Sequence, residues 1–241
     1  TAGGSVRLEA QGGSGDIRLS SINAAGGNVA LIADNDILDN TVLELANVTA
    51  AGLLMVADAD NAVGGTIGES NVLGTRTESV NINAIDTVAD TLSARSDEGI
   101  YVLEADAVTV TEVTVSIDRV DFDSGITNIA QTQEDLITTG TTAGGPIKLV
   151  TLAGTITLNG GTVTTTSSVT ANGDDDILIE ARGAASDVVI NADVVSGSGN
   201  ISIDADNDVD QNAHIGTGGG DVYVLAGNAT VDGTPTDGIN M

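Results

Sequence analysis

Residues 198–215 read "SGNISIDADNDVDQNAHI" and contain the pattern that decides the fold. Ile201, Ile203 and Ala205 alternate with polar residues. Because successive residues of a β-strand point to opposite faces, the alternation predicts a strand with one apolar side. Aspartates then follow at every second position from Asp204 to Asp210. Such a run is typical either of a calcium loop or of the polar corner of a structural repeat.

The same five-residue cassette, in which apolar residues at the first and third places precede an alanine, recurs along the chain. Its other copies begin at Val6, Val29, Leu53, Val80, Tyr101, Ile177, Val188 and Val222, with the weaker "ITLNG" at Ile156. When the copy at Val188 is set aside, successive starts within two blocks lie 21 to 27 residues apart. A unit of this size without helical periodicity cannot bury its own apolar side and must stack on its neighbours.

Stacking in register predicts an all-β fold, a parallel β-helix or β-solenoid with coils of about 21–27 residues. We expect one continuous solenoid over residues 1–241, with regular coils in 1–106 and 146–241 and longer excursions in 107–145. Ten coils at the ~4.8 Å spacing of paired strands would form a rod about 48 Å long. The alanine of the cassette is expected at an inward corner with little room.

The aspartates belong to the repeat, because superposing three copies without gaps aligns them. The aligned pairs are Asp34 with Asp36, Asp58 with Asp60, and Asp206 with Asp208. The copies at Val29 and Leu53 are consecutive, so the first two pairs are expected within about 5 to 10 Å of one another. Together with Asp204, these six residues are the candidate calcium ligands.

Two interpretations of these aspartates remain open. Like charges at this separation repel unless a cation or water lies between them, which favours weak or shared calcium. Alternatively, Asp and Asn form solvated turns and bond to nearby backbone groups. An EF-hand is excluded, because the sixth position from Asp204 is Val209 rather than glycine and the twelfth is Ile215 rather than an acid. No cofactor other than calcium is expected.

Composition limits the partners. Thirty-five acidic and seven basic residues give a formal charge of −28, so binding to nucleic acid or to an anionic membrane is not expected. No apolar run approaches the ~20 residues of a membrane-spanning helix, and the chain has no cysteine for disulfides or thiolate metal sites. Divalent cations and surface glycans are the external partners that this composition leaves open.

The sequence offers little for catalysis. His214 is the sole histidine, and no serine motif accompanies it. A carbohydrate-active or calcium-binding β-helix domain is the alternative function, but sugar clefts use aromatic platforms and this chain has three aromatic residues. We therefore predict that the protein is not an enzyme.

The phrasing "GNISIDADNDVDQN" and "GGGDVYVLAGNATVDG" resembles the repeats of giant bacterial surface proteins of the filamentous-haemagglutinin-like type. The resemblance covers most of the chain and is specific to architecture more than to activity. It implies a right-handed parallel β-helix, export to the extracellular space or cell surface, and a role as stalk, adhesin or fibre. The secretion domain of that family has no counterpart in these residues.

The two ends of the sequence also predict assembly. Writing "DGINM" before "TAGGSVRLEA" gives a further cassette of Ile239, Met241 and Ala2. A Val6 placed one chain length further on lies 25 residues after Val222, within the internal range. We therefore expect the chain to stack head to tail with copies of itself, or to be one period of a tandem array.

Overall fold

The computed structural model describes residues 3–41, 45–61, 64–69, 83–140, 145–162, 166–227 and 239–240. Residues 80–82 of the cassette predicted at Val80, and Met241 and Ala2 of the cassette predicted at the junction, lie outside the described residues.

All regular structure in the described residues is β-strand. The first twelve strands are β1 (Val6–Ala10), β2 (Ile17–Leu19), β3 (Ile22–Asn23), β4 (Asn28–Ala33), β5 (Ile37–Asp39), β6 (Val48–Val56), β7 (Thr66–Ile67), β8 (Ile85–Ser96), β9 (Gly99–Glu104), β10 (Val108–Val110), β11 (Val113–Val120) and β12 (Ile126–Gln133). The second twelve are β13 (Leu136–Thr138), β14 (Ile147–Thr151), β15 (Ile156–Leu158), β16 (Ser167–Ala171), β17 (Ile177–Ala181), β18 (Val188–Ile190), β19 (Asp193–Ser196), β20 (Ile201–Ala205), β21 (Val209–Gln211), β22 (Ile215–Thr217), β23 (Val222–Leu225) and β24 (Ile239–Asn240).

Twenty-two of these strands form one sheet of parallel pairs that winds around an apolar interior. In the C-terminal half it divides into three ladders. Ladder A contains β9, β14, β17, β20 and β23, ladder B contains β10, β15, β18, β21 and β24, and ladder C contains β13, β16, β19 and β22. In the N-terminal half, β2, β5 and β7 continue ladder A. The predicted all-β parallel solenoid is confirmed.

Long strands in the N-terminal half serve more than one ladder. β8 pairs with β9 near its start, with β10 in its middle and with β13 near its end. On its other side it pairs with β6, which pairs with β4, which pairs with β1. In the first coils, one long strand therefore occupies the position that two shorter strands, one on ladder B and one on ladder C, occupy in the later coils.

A column of β-branched residues runs through the interior at the start of ladder A. Its members, in order along the stack, are Ile17, Ile37, Ile67, Ile100, Ile147, Ile177, Ile201 and Val222. The seven isoleucines are buried. Each contributes roughly 1.5 to 3 kcal/mol by removing its side chain from water, so this column is a main source of cohesion between coils.

Coil length varies more widely than the sequence predicts. From Ile201 to Val222 the chain needs 21 residues to return to ladder A, but from Ile100 to Ile147 it needs 47. Ladder A has eight levels in the described residues rather than the ten expected. The expected number of coils was too high because some coils are longer than the cassette spacing, as between Ile100 and Ile147.

The longest excursion contains the antiparallel hairpin of β11 and β12. It lies in the segment 107–145 that was predicted to be less regular, and its strands belong to a separate two-stranded sheet. Val113 and Val115 are buried against Ala30, Leu54 and Val56, on the outside of the first coils. The hairpin therefore crosses the outer surface of the solenoid.

Candidate functional site: the acidic corners

The first acidic corner, formed by Asp34, Asp36, Asp58 and Asp60, lies where the chain turns from the long β4 and β6 strands toward ladder A. Because β4 and β6 pair with Val29 opposite Leu53, these aspartates follow on consecutive coils, as the sequence predicts. The carboxylate of Asp34 accepts the N–H groups of Gly12, at 2.6 Å, and Gly13, at 3.3 Å. Asp34 thus secures the turn of the coil that precedes it.

The Asp36 carboxylate also holds backbone of a neighbouring coil. Its Oδ1 accepts the N–H of Thr66 at 2.9 Å. One coil earlier, Asp16 Oδ1 accepts the side-chain amide of Asn35 at 2.8 Å. The hydrogen bond from Asn35 is the largest influence on Asp16 and lowers the pKa of that carboxyl. Each carboxylate of this column therefore accepts hydrogen bonds from the following coil.

Asp58 occupies a special backbone conformation at the same corner. It is buried and has a φ of 55°, a left-handed value that Asp and Asn tolerate better than most residues. Its N–H donates to the carbonyl of Asn35 at 3.2 Å. The aspartate at this position is thus accounted for by the turn itself.

The second acidic corner, formed by Asp204, Asp206 and Asp208, lies between ladders A and B. Asp206 Oδ2 accepts the N–H of Gly183 at 2.7 Å. Asp187 of the preceding coil accepts both the side-chain amide of Asn207, at 2.7 Å, and the N–H of Asp208, at 3.1 Å. Asp204 is the fourth residue of β20 and stands in register with Glu180.

The predicted equivalence of the two corners is wrong. The cassette at Ile201 belongs to ladder A, whereas Val29 and Leu53 stack with Val110 and Leu158 on ladder B. Asp206 and Asp208 are therefore at a different corner of the coil from Asp34 and Asp36. The ladders also contradict the predicted continuation of the repeat from the end of one chain to the start of the next. That prediction treated Val222 and Val6 as successive copies, but Val222 lies on ladder A and Val6 on ladder B.

One device unites the corners: a polar side chain of one coil accepts a hydrogen bond from a neighbouring coil. Asp176 Oδ1 accepts the N–H of Asn200 at 2.7 Å, and Asn200 Oδ1 accepts that of Asp221 at 2.9 Å. Between ladders B and C, side-chain amides link Asn159, Asn191 and Asn212 at 3.0 Å per step. The bonds from the N–H groups of Asn200 and Asp221 satisfy backbone donors where the chain enters ladder A, whereas the Asn links join side chains of successive coils.

The corner carboxylates are thus placed to hold backbone. Among the described residues, no three His, Cys, Asp or Glu side chains are grouped so that they could hold a metal ion. The hydrogen bonds that Asp34, Asp36 and Asp206 accept agree with the turn interpretation, and the calcium interpretation stays a prediction.

Glu104 is a buried acid that the cassette pattern concealed. The reading "YVLEA" from Tyr101 was one residue late, since Ile100 stands opposite Ile147. Tyr101 and Leu103 instead face outward, in a separate apolar cluster. Glu104 therefore takes the inward place that Ala181 and Ala205 fill on later coils.

The Glu104 carboxylate is fully buried and hydrogen-bonded. It accepts the Thr87 hydroxyl at 2.6 Å, the Ala89 N–H at 3.1 Å and the Ala105 N–H at 2.9 Å. Burial raises its pKa to about 7, against the opposing effect of the Thr87 hydrogen bond. The group therefore titrates near neutrality.

Asp175 is a second buried carboxyl with a raised pKa. It is the middle residue of three successive aspartates, and its Oδ2 has no hydrogen-bond partner among the described residues. Burial raises its pKa to about 6, and the neighbouring Asp174 and Asp176 add to the effect. The run "DDD" just before β17 was the sequence signal for a buried acid. Because successive residues of an extended chain point to opposite sides, the middle aspartate faces away from the other two.

His214 lies directly before β22. Its backbone N–H donates to Asp193 Oδ1 at 3.0 Å. Its ring lies against Gly216, where a Cβ would approach Cε1 to 2.1 Å. No hydrogen bond joins this ring to another described residue.

No protein-family model, curated protein or solved structure matches the chain. None of the described residues forms a helix long and apolar enough to cross a membrane.

Proposed function

We propose that this chain is a structural module of an extracellular fibre or giant surface adhesin, stacked with further coils of its own kind. The observation that carries the proposal is the interior column from Ile17 to Val222, which runs through eight levels. A stack of this kind bears load through parallel hydrogen-bond ladders and an interdigitated apolar interior.

The outermost coils support stacking as the mode of assembly. Leu8 on the first level is 40% exposed, whereas Leu31 and Met55, its partners on the next two levels, are fully buried. Val222 and Tyr223 on the last level of ladder A are 46% and 56% exposed. Open ladder edges with exposed apolar residues pair readily with further strands.

A carbohydrate-active site has less support. The three aromatic residues of the chain are dispersed, with Tyr101 buried on ladder A, Phe122 at the hairpin tip and Tyr223 on the last level. They form no common platform on which a sugar ring could stack. We therefore keep the non-enzymatic, cofactor-independent role as our proposal, with extracellular or cell-surface location as part of it.

Electron microscopy and sedimentation of the purified chain test this function. We expect unbranched filaments that grow with concentration and rise about 40 Å per chain, from eight levels at ~4.8 Å each. A chain that sediments as a monomer at all concentrations and salt levels would refute stacking as its mode of assembly.

A further inference from the structure

The tip of the β11–β12 hairpin is the most apolar exposed feature of the described residues. Val120 is 71% exposed, Ile126 70% and Phe122 108%, while Val113 and Val115 at the base are buried. Val120 and Ile126 are cross-strand partners, so their side chains lie side by side. Clustered apolar side chains of this kind mark an interaction site more often than isolated ones do.

The tip is held in one conformation by its own hydrogen bonds. Asp121 pairs with Arg119 at 2.8 Å and accepts the Thr127 hydroxyl. Asp121 N–H donates to the Gly125 carbonyl at 2.8 Å, and Gly125 N–H donates to Asp123 Oδ1 at 2.9 Å. Phe122 is thus presented by an ordered turn, which reduces the entropy lost when it binds.

The hairpin runs across the stack toward β1. Thr111, just before the hairpin, donates its N–H to Leu92 of β8, and Asn28 of β4 donates its side-chain amide to the Thr114 carbonyl. β11 also contacts β6 and β1. These strands are successive coils, so the hairpin descends the outer surface level by level.

The hairpin is longer than the coils it covers. From Val113 to Phe122 an extended strand spans about 31 Å, whereas the three steps from β8 to β1 span only about 14 Å. Phe122 therefore extends roughly 15 Å, or about three coils, past β1. The sudden rise in exposure beyond Ile117 agrees with this overhang.

The surface under the hairpin continues along the stack as one column, the outer column of ladder C. Its members are Glu9, Ile32, Val56, Arg95, Ile137, Thr170, Val195 and Gly216. The hairpin base packs on the cluster that contains Ile32 and Val56. On the last three levels the column is uncharged and half-buried.

We propose that the hairpin tip docks on the outer column of ladder C of a second copy stacked below β1, at Thr170, Val195 and Gly216. The contact continues the interface that the hairpin base already makes with its own coils. It would bury Phe122 against a strip whose own members are uncharged. The inference rests on the stacking proposed above. It adds an overlap between copies, here called the lap joint, in which the hairpin tip of one copy lies on the outer column of the next and fixes the register between them.

The chain has no cysteine, so engineered thiols report this contact without background. Ser124→Cys at the tip is combined with Val195→Cys and treated with a short bismaleimide. Within one chain, the six steps from β1 to β19 along ladder C exceed about 28 Å, so the cross-link must join two copies. Ser124→Cys with Ser202→Cys, which lies on ladder A, is the matched control.

We expect a ladder of covalent oligomers from the Val195 pair and only monomer from the Ser202 pair. Equal cross-linking in both pairs, or none in either while filaments form, overturns the lap joint. Far-UV circular dichroism confirms that both double variants are folded.

Sedimentation of Phe122→Ser combined with Val120→Thr gives an independent measure. We expect self-association to weaken at least about tenfold, as for an apolar anchor residue. Leu45→Ser, at an exposed leucine outside the hairpin, should leave it unchanged. Salt should strengthen association, because each chain carries a charge of −28. Filaments of unchanged affinity in the tip variant refute the lap joint alone, whereas a wild-type chain that never associates refutes stacking as well.

Discussion

The buried carboxylate of Glu104 accepts the backbone N–H of Ala89 at 3.1 Å, where β8 continues straight and the coil above it turns. β8 pairs with β9 as far as Thr87 and with β10 from Thr91, which leaves a short gap between the two ladders. An alanine, which fills this place on later coils, has no side-chain oxygen that could accept the Ala89 N–H. The acid is thus explained by the change from long N-terminal strands to three separate ladders.

Glu104 predicts a pH dependence of stability. Its pKa is raised from 4.5 to about 7 in the folded chain, so the folded state binds the proton more tightly than the unfolded state. This contribution is fully present below pH 4.5 and is lost as the pH rises through about 7. Between pH 5.5 and 8.5 the contribution of Glu104 to the free energy of unfolding falls by about 2 kcal/mol. Glu104→Gln should flatten this part of the profile in urea unfolding.

Glu98→Gln is the matched control, since the side chain of Glu98 is exposed. It should leave the wild-type pH profile intact. If Glu104→Gln also leaves the profile intact, the buried carboxylate is not the group that titrates.

The corner bonds predict a specific stability loss at Asp187. Asp187→Ala removes the acceptor for Asn207 and for the Asp208 N–H, and leaves both donors without it. We expect a loss of about 1 to 3 kcal/mol in the free energy of unfolding. Asp90→Ala, at an exposed aspartate of β8, should change it by less than about 0.5 kcal/mol. Equal effects would contradict the corner role.

Chelation distinguishes the two interpretations of the acidic corners. Because Asp34 and Asp206 already accept backbone N–H groups, we expect EDTA to leave the melting temperature unchanged. A fall in melting temperature that Asp58→Asn with Asp60→Asn abolishes would instead establish calcium at the first acidic corner.

The strand pattern could be predicted from sequence because it follows directly from burial. Ala33, Ala57, Ala181 and Ala205 are fully buried at the place the cassette assigns to them. The ladder to which each copy belongs could not be predicted, since all three faces demand the same apolar alternation. The sequence therefore placed the aspartates after β4 and β6 on consecutive coils correctly, but their equivalence to Asp206 was wrong.

The sequence could not predict which residues of a strand face inward where both sides of the strand are apolar. Tyr101 and Leu103 fit the cassette as well as Ile100 and Val102 do, and only the pairing with β14 decides between them. Likewise, the alternation in Val113–Val120 and Ile126–Gln133 predicts strands but not their antiparallel pairing. Such choices depend on contacts between distant segments, which one sequence does not display.

The isoleucine column predicts graded losses when its side chains are shortened. Ile177 is 2% exposed and stacks between Ile147 and Ile201. Ile177→Val should cost about 0.5 to 1.5 kcal/mol of unfolding free energy and Ile177→Ala about 2 to 5 kcal/mol, because the rigid ladders above and below cannot close the cavity. Leu178→Ala, on the outward side of the same strand, should cost less than half of the Ile177→Ala value. Urea unfolding with a constant m-value measures all three changes, and a larger loss at Leu178 than at Ile177 would contradict the inward assignment of the column.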